Sequence, residues 1–407
     1  MTYDVIIIGG GPAGLMAANQ LEKAKINYVL LEKNEQVGKK VLLTGGKRCN
    51  VTNNLNIRDF IDTLTIQNKK FIYPALKQLG PLEILAFFKE NGLELILENN
   101  FKYFPETGKS SDVLEVLTHT IHKDHIKFGQ SVKKIEKLED YYEITTNHTV
   151  FHGKYVIVAT GSNSYPQVGS SGDGLKFADH LGIPYKAFTP AETSIYSKQV
   201  VEDFKLLRGT SLTQVRVAIK NTKIAYIGDL LFTHVGLSGP VIMHLSEFIY
   251  EDIVENGKST ITFGFINKTE EELYNILIEN KNKLLHKVLE DYTSKRIVEV
   301  VLALKNIISI KIAEMKKKDL MYVCNLFTKY EFVIDSVEDK LRAYVNKGGI
   351  DLKVLDPKSM EVKTHPNLYF IGETTDLHGP IGGYNITIAL STGYLSSHDI
   401  IFKIKQV

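Results

Sequence analysis

Cysteine is almost missing from this chain. Its 407 residues contain two, Cys49 and Cys324, far apart, which excludes a disulfide framework and suits a reducing compartment. No Cys-x-x-Cys pair and no His/Cys cluster at ligand spacing occurs, so no metal is expected. Long apolar runs are missing too, since no uncharged apolar stretch reaches the roughly 18 residues that a bilayer span requires. The apolar strand pattern begins at Thr2 and leaves no room for a cleavable leader, so a cytoplasmic protein without a membrane partner is expected. Neither sign of charge prevails, with 49 Lys and Arg against 47 Asp and Glu. No global field then points to nucleic acid, and none is expected as a partner. The lysine-rich run 311–318 and the tail 402–405 read as solvated helix or terminus faces. The length suggests two or three domains.

What is present concentrates at the start. An apolar run through Ile8 ends at Gly9, and Gly9, Gly11 and Gly14, with Pro12 and Ala13 among them, form Gly-x-Gly-x-x-Gly ahead of an apolar-periodic stretch over 15–21. That is strand, tight turn, helix. Gly9 allows the turn, Gly11 admits a pyrophosphate to the backbone, and Gly14 lets helix pack on strand. The anion would sit on the helix N-terminus, where the amides and the macrodipole favour negative charge. A second apolar strand over 28–31 ends in Glu32, placed to accept hydrogen bonds from an adenosine ribose, and an acid rather than Arg there argues against a ribose phosphate. The next loop carries Lys33, Lys39, Lys40, Gly45, Gly46, Lys47, Arg48, Cys49 and Asn50. So many anion-capable donors in one glycine-bearing loop point to contact with the ligand.

Residues 56–97 read as helical with breaks at Pro74 and Gly80-Pro81, and Ser110-Ser111-Asp112 reads as a helix start whose side chains cap. Short strands over 126–132, 141–146 and 150–152 suggest a β-meander, followed by a separate buried strand from 154 into Ala159, Thr160 and Gly161. This order resembles flavoproteins of the glutathione-reductase type. The resemblance implies FAD at the first site, with Val132 at the adenine and Ala159, Thr160 and Gly161 passing close to the cofactor. Around Gly169 no strand precedes the glycines, so a second nucleotide-binding unit is not expected. Between about 190 and 335 strand-like runs give way to a helical block over 269–329, an expected insertion with a β part and a helical part. The last seventy residues return to the first fold. A strand over 368–371, Gly372 and Glu373, and Gly382, Gly383, Tyr384 and Asn385 opening a helix to about 394 give a second helix mouth. Its dipole would stabilise negative charge on a reduced flavin ring.

Four blocks in order carry a closer resemblance: residues 45–53; Ser164-Tyr165-Pro166 with Gly172-Asp173-Gly174; Leu231-Phe232-Thr233-His234 with Ser238-Gly239-Pro240; and Gly372-Glu373 with 382–385. They resemble the BaiN-like (YhiN, aminoacetone oxidase-like) bacterial flavoproteins. The resemblance implies an α/β fold, a glutathione-reductase-type FAD-binding Rossmann-like domain with inserted β-barrel-like and small helical domains. The expected boundaries are 1–189 with 336–407, 190–267 with about 330–335, and 268–329. It also implies FAD contacts at Ala13, Glu32, Lys40, Asn50, Val132, Glu373, Asp376, Asn385 and Ile386. One departure is Lys47, where the family usually has glycine.

The expected activity is that of an FAD-dependent oxidoreductase on a small-molecule substrate, placed near Thr233, His234 and Tyr384, with hydride transfer at flavin N5. A reductase would draw electrons transiently from NAD(P)H and reduce an enone, quinone or similar acceptor; an oxidase or dehydrogenase would take them from a small metabolite. The alternative is a non-catalytic flavin-binding sensor or nucleic-acid-associated flavoprotein using the insertion as a partner platform; the balanced charge speaks against the latter. Oligomeric state is not legible.

Overall fold

The computed structural model describes residues 2–99 and 101–406. The chain divides into two compact units, Met1–Thr189 with Lys340–Val407 and Pro190–Asp339.

The first unit is built on β1 (Thr2–Ile8), α1 (Pro12–Lys23) and β2 (Tyr28–Leu31). Val5 to Ile7 and Tyr28 to Leu30 have no exposed surface, as expected for parallel strands covered on both faces. After β3 (Thr52–Asn53) come α2 (Ile57–Thr63), α3 (Tyr73–Gln78), α4 (Pro81–Glu90), β4 (Leu95–Glu98) and β5 (Lys102–Pro105). The helical reading to about 97 is therefore corrected: the chain turns at Gly92, φ +84°, and Leu95–Glu98 pairs antiparallel with β5. α5 (Ser110–Thr118) starts without a side-chain cap, because the cap residue is Lys109, one position before the serines, and Ser110 Oγ donates to the Leu42 carbonyl at 3.2 Å.

Then come β6 (Ile126–Lys127), β7 (Val132–Lys137), β8 (Tyr142–Thr146) and β9 (Val150–Val158). The meander's last strand and the buried strand behind Ala159 are one continuous strand, not two. Its first half pairs antiparallel with β8, residues 152–158 run parallel to β1, and its last three residues pair parallel with β19 (Leu368–Phe370). The sheet order is β6-β2-β1-β9-β8-β7 with β19 on β9. α6 (Asp173–His180), β10 (Tyr185–Glu192) and its partner β18 (Val345–Ile350) follow. The closing helix α13 (Tyr384–Lys405) runs 22 residues, well past 394. Its Ser391, Thr392, Ser396 and Ser397 hydroxyls donate to carbonyls three or four residues back, so these polar residues are satisfied within the helix and do not end it. Gly393 lets α13 lie against α1, since a Cβ there would collide with the Ala13 carbonyl.

The second unit holds α7 (Lys198–Asp203), α8 (Pro240–Asn256) and a seven-stranded sheet. Its strands are β11 (Ile195–Tyr196), β12 (Ser211–Ile219), β13 (Ala225–Phe232), β14 (Gly236–Ser238), β15 (Ser259–Phe263), β16 (Tyr330–Ile334) and β17 (Ser336–Val337), in the order β16-β15-β12-β13-β14-β11-β17. Helices α9 (Glu270–Glu279), α10 (Leu285–Glu290), α11 (Lys295–Leu304) and α12 (Lys317–Thr328) share one hydrophobic core with that sheet. The rings of Phe263 and Phe332 stack there 4.4 Å apart. α8 was not legible as a helix from its Gly-Pro start, yet Val241, Ile242, Leu245 and Ile249 on it are fully buried.

Candidate functional site

The site grows from the turn after β1. Gly9 sits at φ +107°, and a Cβ there would stand 2.5 Å from the Ala159 carbonyl oxygen. A Cβ on Gly14 would collide with the Gly9 carbonyl. Gly11 is different: nothing lies within 4 Å of where its Cβ would be, and it borders a cleft of about 1060 Å³, open mouth included, within the first unit. Glycine is thus needed twice for packing and once to keep space clear. That space faces the N-terminus of α1, whose first amides lack intrahelical acceptors.

The β2 end is fixed from several sides. Glu32, 6% exposed, accepts from the Gly10 amide at 2.9 Å and from Asn34 N and Nδ2 at 2.8 and 2.7 Å. Two ion pairs border the same cleft. Lys40 Nζ donates to Glu373 Oε2 at 2.7 Å and to Ser164 Oγ at 2.6 Å, and Lys33 Nζ donates to Asp173 Oδ2 at 2.8 Å. Burial pushes the Asp173 carboxyl up, but hydrogen bonds from Lys33, Lys176 and Ser171 outweigh it and hold it at about 2. The start of α13 contributes Asn385, Ile386 and Ala389. Asn385 is clamped by a two-way bond to Gly379, Oδ1 accepting at 3.0 Å and Nδ2 donating at 2.7 Å. Thr160 Oγ1, on the wall, is buried without a hydrogen-bond partner among the described residues.

The structure therefore brings Gly9, Gly11, Pro12, Ala13, Glu32, Lys33, Lys40, Val132, Ala159, Thr160, Gly161, Glu373, Asn385 and Ile386 to one cleft. Asn34, Gln130, Ser170 and Asp173 join them and were not anticipated. Asp173 was signalled by the Gly172-Asp173-Gly174 block at a helix start, and Gln130 only by its place beside Val132. The donor set and the clear space at Gly11 fit a dinucleotide.

Other anticipated residues lie elsewhere. Gly14 is packing. Arg48 is turned to Glu98, Nη1 to Oε2 at 3.1 Å, and its guanidinium stacks 4.4 Å from the Phe104 ring. Cys49 is fully buried, which pushes its thiol up to about 11 against a bond with Thr44. Asn50 Nδ2 donates to the Thr52 and Tyr103 carbonyls, bracing the loop. Gly45, Gly46 and Lys47 form a left-handed run at φ +55°, +66° and +73°. That backbone is one glycine adopts more readily than lysine; the Lys47 side chain is exposed and does not border the cleft. Gly372 is buried against Ala13 and Ala389, and Gly383 against the Thr52 backbone. Asn53 Nδ2 donates to the Gly382 carbonyl at 3.1 Å. Asp376 is paired with Lys186 at 2.6 Å. Tyr384, 3% exposed, packs on Phe60 with ring centroids 4.7 Å apart, and burial raises its phenol pKa. In the second unit, Thr233 Oγ1 closes a turn with Gly236, donating to its carbonyl at 3.0 Å and accepting its amide at 3.1 Å, while His234 is exposed.

A family model, the HI0933-like protein Rossmann domain, matches residues 3–399. The Haemophilus influenzae protein named ribosomal RNA dihydrouridine synthase is 27% identical over 405 residues, 96% of either chain. The 3-dehydro-bile acid delta(4,6)-reductase of Clostridium scindens is 25% identical over 407 residues, 96% of this chain and 97% of its own. Among solved structures, the 3-ketosteroid-delta4-(5alpha)-dehydrogenase of Rhodococcus jostii RHA1 superposes with a TM-score of 0.55 at 12% identity, covering 98% of this chain and 97% of its own. That last likeness concerns the fold. The absence of a nucleic-acid partner, expected from balanced charge, is not supported beside such a relative, because net charge averages over a surface whose local patches do the binding. Among the described residues no helix is long and apolar enough to cross a membrane.

Proposed function

The chain belongs to the HI0933-like Rossmann-domain family of FAD-dependent oxidoreductases, and from that premise we propose that it reduces a carbon–carbon double bond conjugated to a carbonyl, with uridine in ribosomal RNA as substrate. The observation that carries the reading is the cleft shared by the glycine turn and the α13 mouth. Its support from relatives is chemical: a dihydrouridine synthase saturates the uracil double bond conjugated to a ring carbonyl, and a delta(4,6)-reductase of a 3-dehydro bile acid acts on double bonds conjugated to a ketone.

In this reading the amides around Gly11 and Ala13 hold the diphosphate, Glu32 with Asn34 holds the ribose, and Gln130 and Val132 face the adenine. Reduced FAD held there would supply the hydride that adds to the unsaturated carbon. Lys40, pinned by Glu373 and Ser164, keeps a positive charge on the cleft wall beside Asn385 and Ile386, where the ring end would lie. The α13 N-terminus favours negative charge at that end. Thr233, engaged in a turn, and Tyr384, held in the core, serve as supports within their own units. NADH or NADPH is the proposed donor, received at the ring face because among the described residues no second Gly-x-Gly-x-x-Gly turn follows a strand.

The test has two steps. Anaerobic NADH or NADPH should bleach the flavin, and the reduced protein should then add two hydrogens to uridine in ribosomal RNA from cells lacking this gene, read by mass spectrometry. Reduction of a steroid-like dienone but not RNA would move the substrate to small enones. A flavin reduced only by dithionite, with neither product, would refute the reductase reading.

A further inference from the structure

In the sequence, the lysines at 281, 283 and 287 and those at 311 and 316–318 belong to separate stretches. The fold sets these stretches side by side: Leu284 bridges antiparallel to Lys311, the Ile312 amide donates to the Lys283 carbonyl at 3.1 Å, and the Ala313 amide donates to the Lys281 carbonyl at 2.8 Å. The two paired stretches, 281–287 and 309–318, together contain seven lysines and one acid, Glu314. All seven are exposed. Lys287 pairs with Glu290, and Lys317 lies 5.9 Å from the Tyr274 ring. Lys281, Lys283, Lys311, Lys316 and Lys318 have no ion-pair partner among the described residues.

A second observation points the same way. α12 begins with Lys316 as its cap residue and Lys317 and Lys318 in its first turn, with no side-chain cap bond. Cations there oppose the helix macrodipole, which favours anions at that end. Asp319 is the acid of that turn. Unpaired like charges brought together by tertiary contacts, at a helix end that itself attracts anions, are stabilised by an external polyanion.

We propose that this edge of the helical part of the second unit, formed by Lys281, Lys283, Lys311, Lys316, Lys317 and Lys318, is a docking surface for the phosphate backbone of RNA. The inference rests on the reading of ribosomal RNA as substrate and adds where the chain grips it. Phosphate contacts of this kind set position and affinity without reading sequence. They also explain how a chain of nearly balanced net charge engages a polyanion.

The test compares the FAD-loaded full chain with K311Q/K316Q/K318Q and with a control of equal charge change, K77Q/K123Q/K358Q, at exposed lysines of the first unit. Binding of a fluorescein-labelled, in-vitro transcribed RNA hairpin is followed by anisotropy across a salt series. The patch variant should weaken binding roughly 10- to 100-fold at 0.1 M salt and lower the log–log salt slope by about 2 to 3. The control should match the wild type, and flavin bleaching by NAD(P)H should be unchanged in all three. A patch variant that binds like the control overturns the proposal while RNA reduction by the wild type leaves the substrate reading standing. A wild type that neither binds nor reduces RNA overturns both. Loss of binding to anionic phospholipid vesicles rather than to RNA would reassign the surface and overturn the proposal.

Discussion

Replacing Gly11 by Ala should separate folding from cofactor binding. The backbone at Gly11 has φ −82° and ψ −178°, a conformation alanine adopts freely. Its Cβ would meet nothing within 4 Å. The loss of a glycine cap, under about 1 kcal/mol, is offset by about 0.4–1 kcal/mol of reduced freedom in the unfolded chain, so the apoprotein should keep its stability. The added methyl stands where a diphosphate approaches the amides. Losing one amide–phosphate hydrogen bond, about 1.5–3 kcal/mol, weakens FAD binding roughly 10- to 150-fold. Gly14→Ala should behave in the opposite way. Its methyl strikes the Gly9 carbonyl, which cannot rotate aside as a side chain would, and overpacking of this kind costs about 1–3 kcal/mol, or about 2–4 °C of Tm per kcal/mol. FAD titration of the apoproteins by fluorescence quenching, beside thermal unfolding without FAD, reads both quantities. G11A binding FAD as tightly as wild type, or unfolding as early as G14A, would refute the assignment of Gly11 to the diphosphate.

Other expectations follow from single residues. Asp173 is held at about 2 in the folded chain, below the ordinary unfolded value of about 3.9; a depressed folded pKa contributes stability that is complete above the unfolded value and is lost as pH falls towards 2. D173N should therefore flatten the stability profile between about pH 4 and 2, and an acid unfolding curve identical to wild type would contradict the Lys33 pairing. Burial pushes Cys49 up to about 11 and Cys324 up to about 12, so neither thiol should react with a disulfide reagent at pH 8 until the chain unfolds, and C49A should keep NAD(P)H-driven bleaching. Lys47→Gly relieves a left-handed backbone at φ +73°, worth about 1–2 kcal/mol against about 0.5–1 kcal/mol for glycine's lost freedom. It should leave FAD affinity unchanged and urea stability equal or higher; a clear loss of either would assign the side chain a role.

That the glycine turn, Glu32 and the α1 start would meet at one cleft was legible because the requirements are local. A strand, a turn that only glycine can make, a helix N-terminus and an acid at the next strand end follow one another within 32 residues, and each leaves its mark in residue type and spacing. The charged loop after β2 was legible only as a set of donors. Lys40 finds Glu373 across 333 positions and Lys33 finds Asp173 across 140, whereas Arg48, equally basic, is claimed by Glu98 and the Phe104 ring. Nothing in a lysine or arginine records which acid it will meet. Meander and Rossmann strand were separated at Gly153 because glycine reads as a break; in the sheet it is kept small by the Ile6 side chain of β1, which leaves no room for a Cβ.

Sequence alone thus determined the βαβ unit and the glycine positions, fixed by steric rules acting over a few residues, whereas FAD was implied only by a family resemblance. The tertiary structure decided which basic side chains face the cleft, which are tied down elsewhere, and that two distant lysine stretches form one charged edge. Those outcomes depend on pairings between residues far apart in the chain, whose energies are set by distance and burial, and neither quantity exists until the chain has folded.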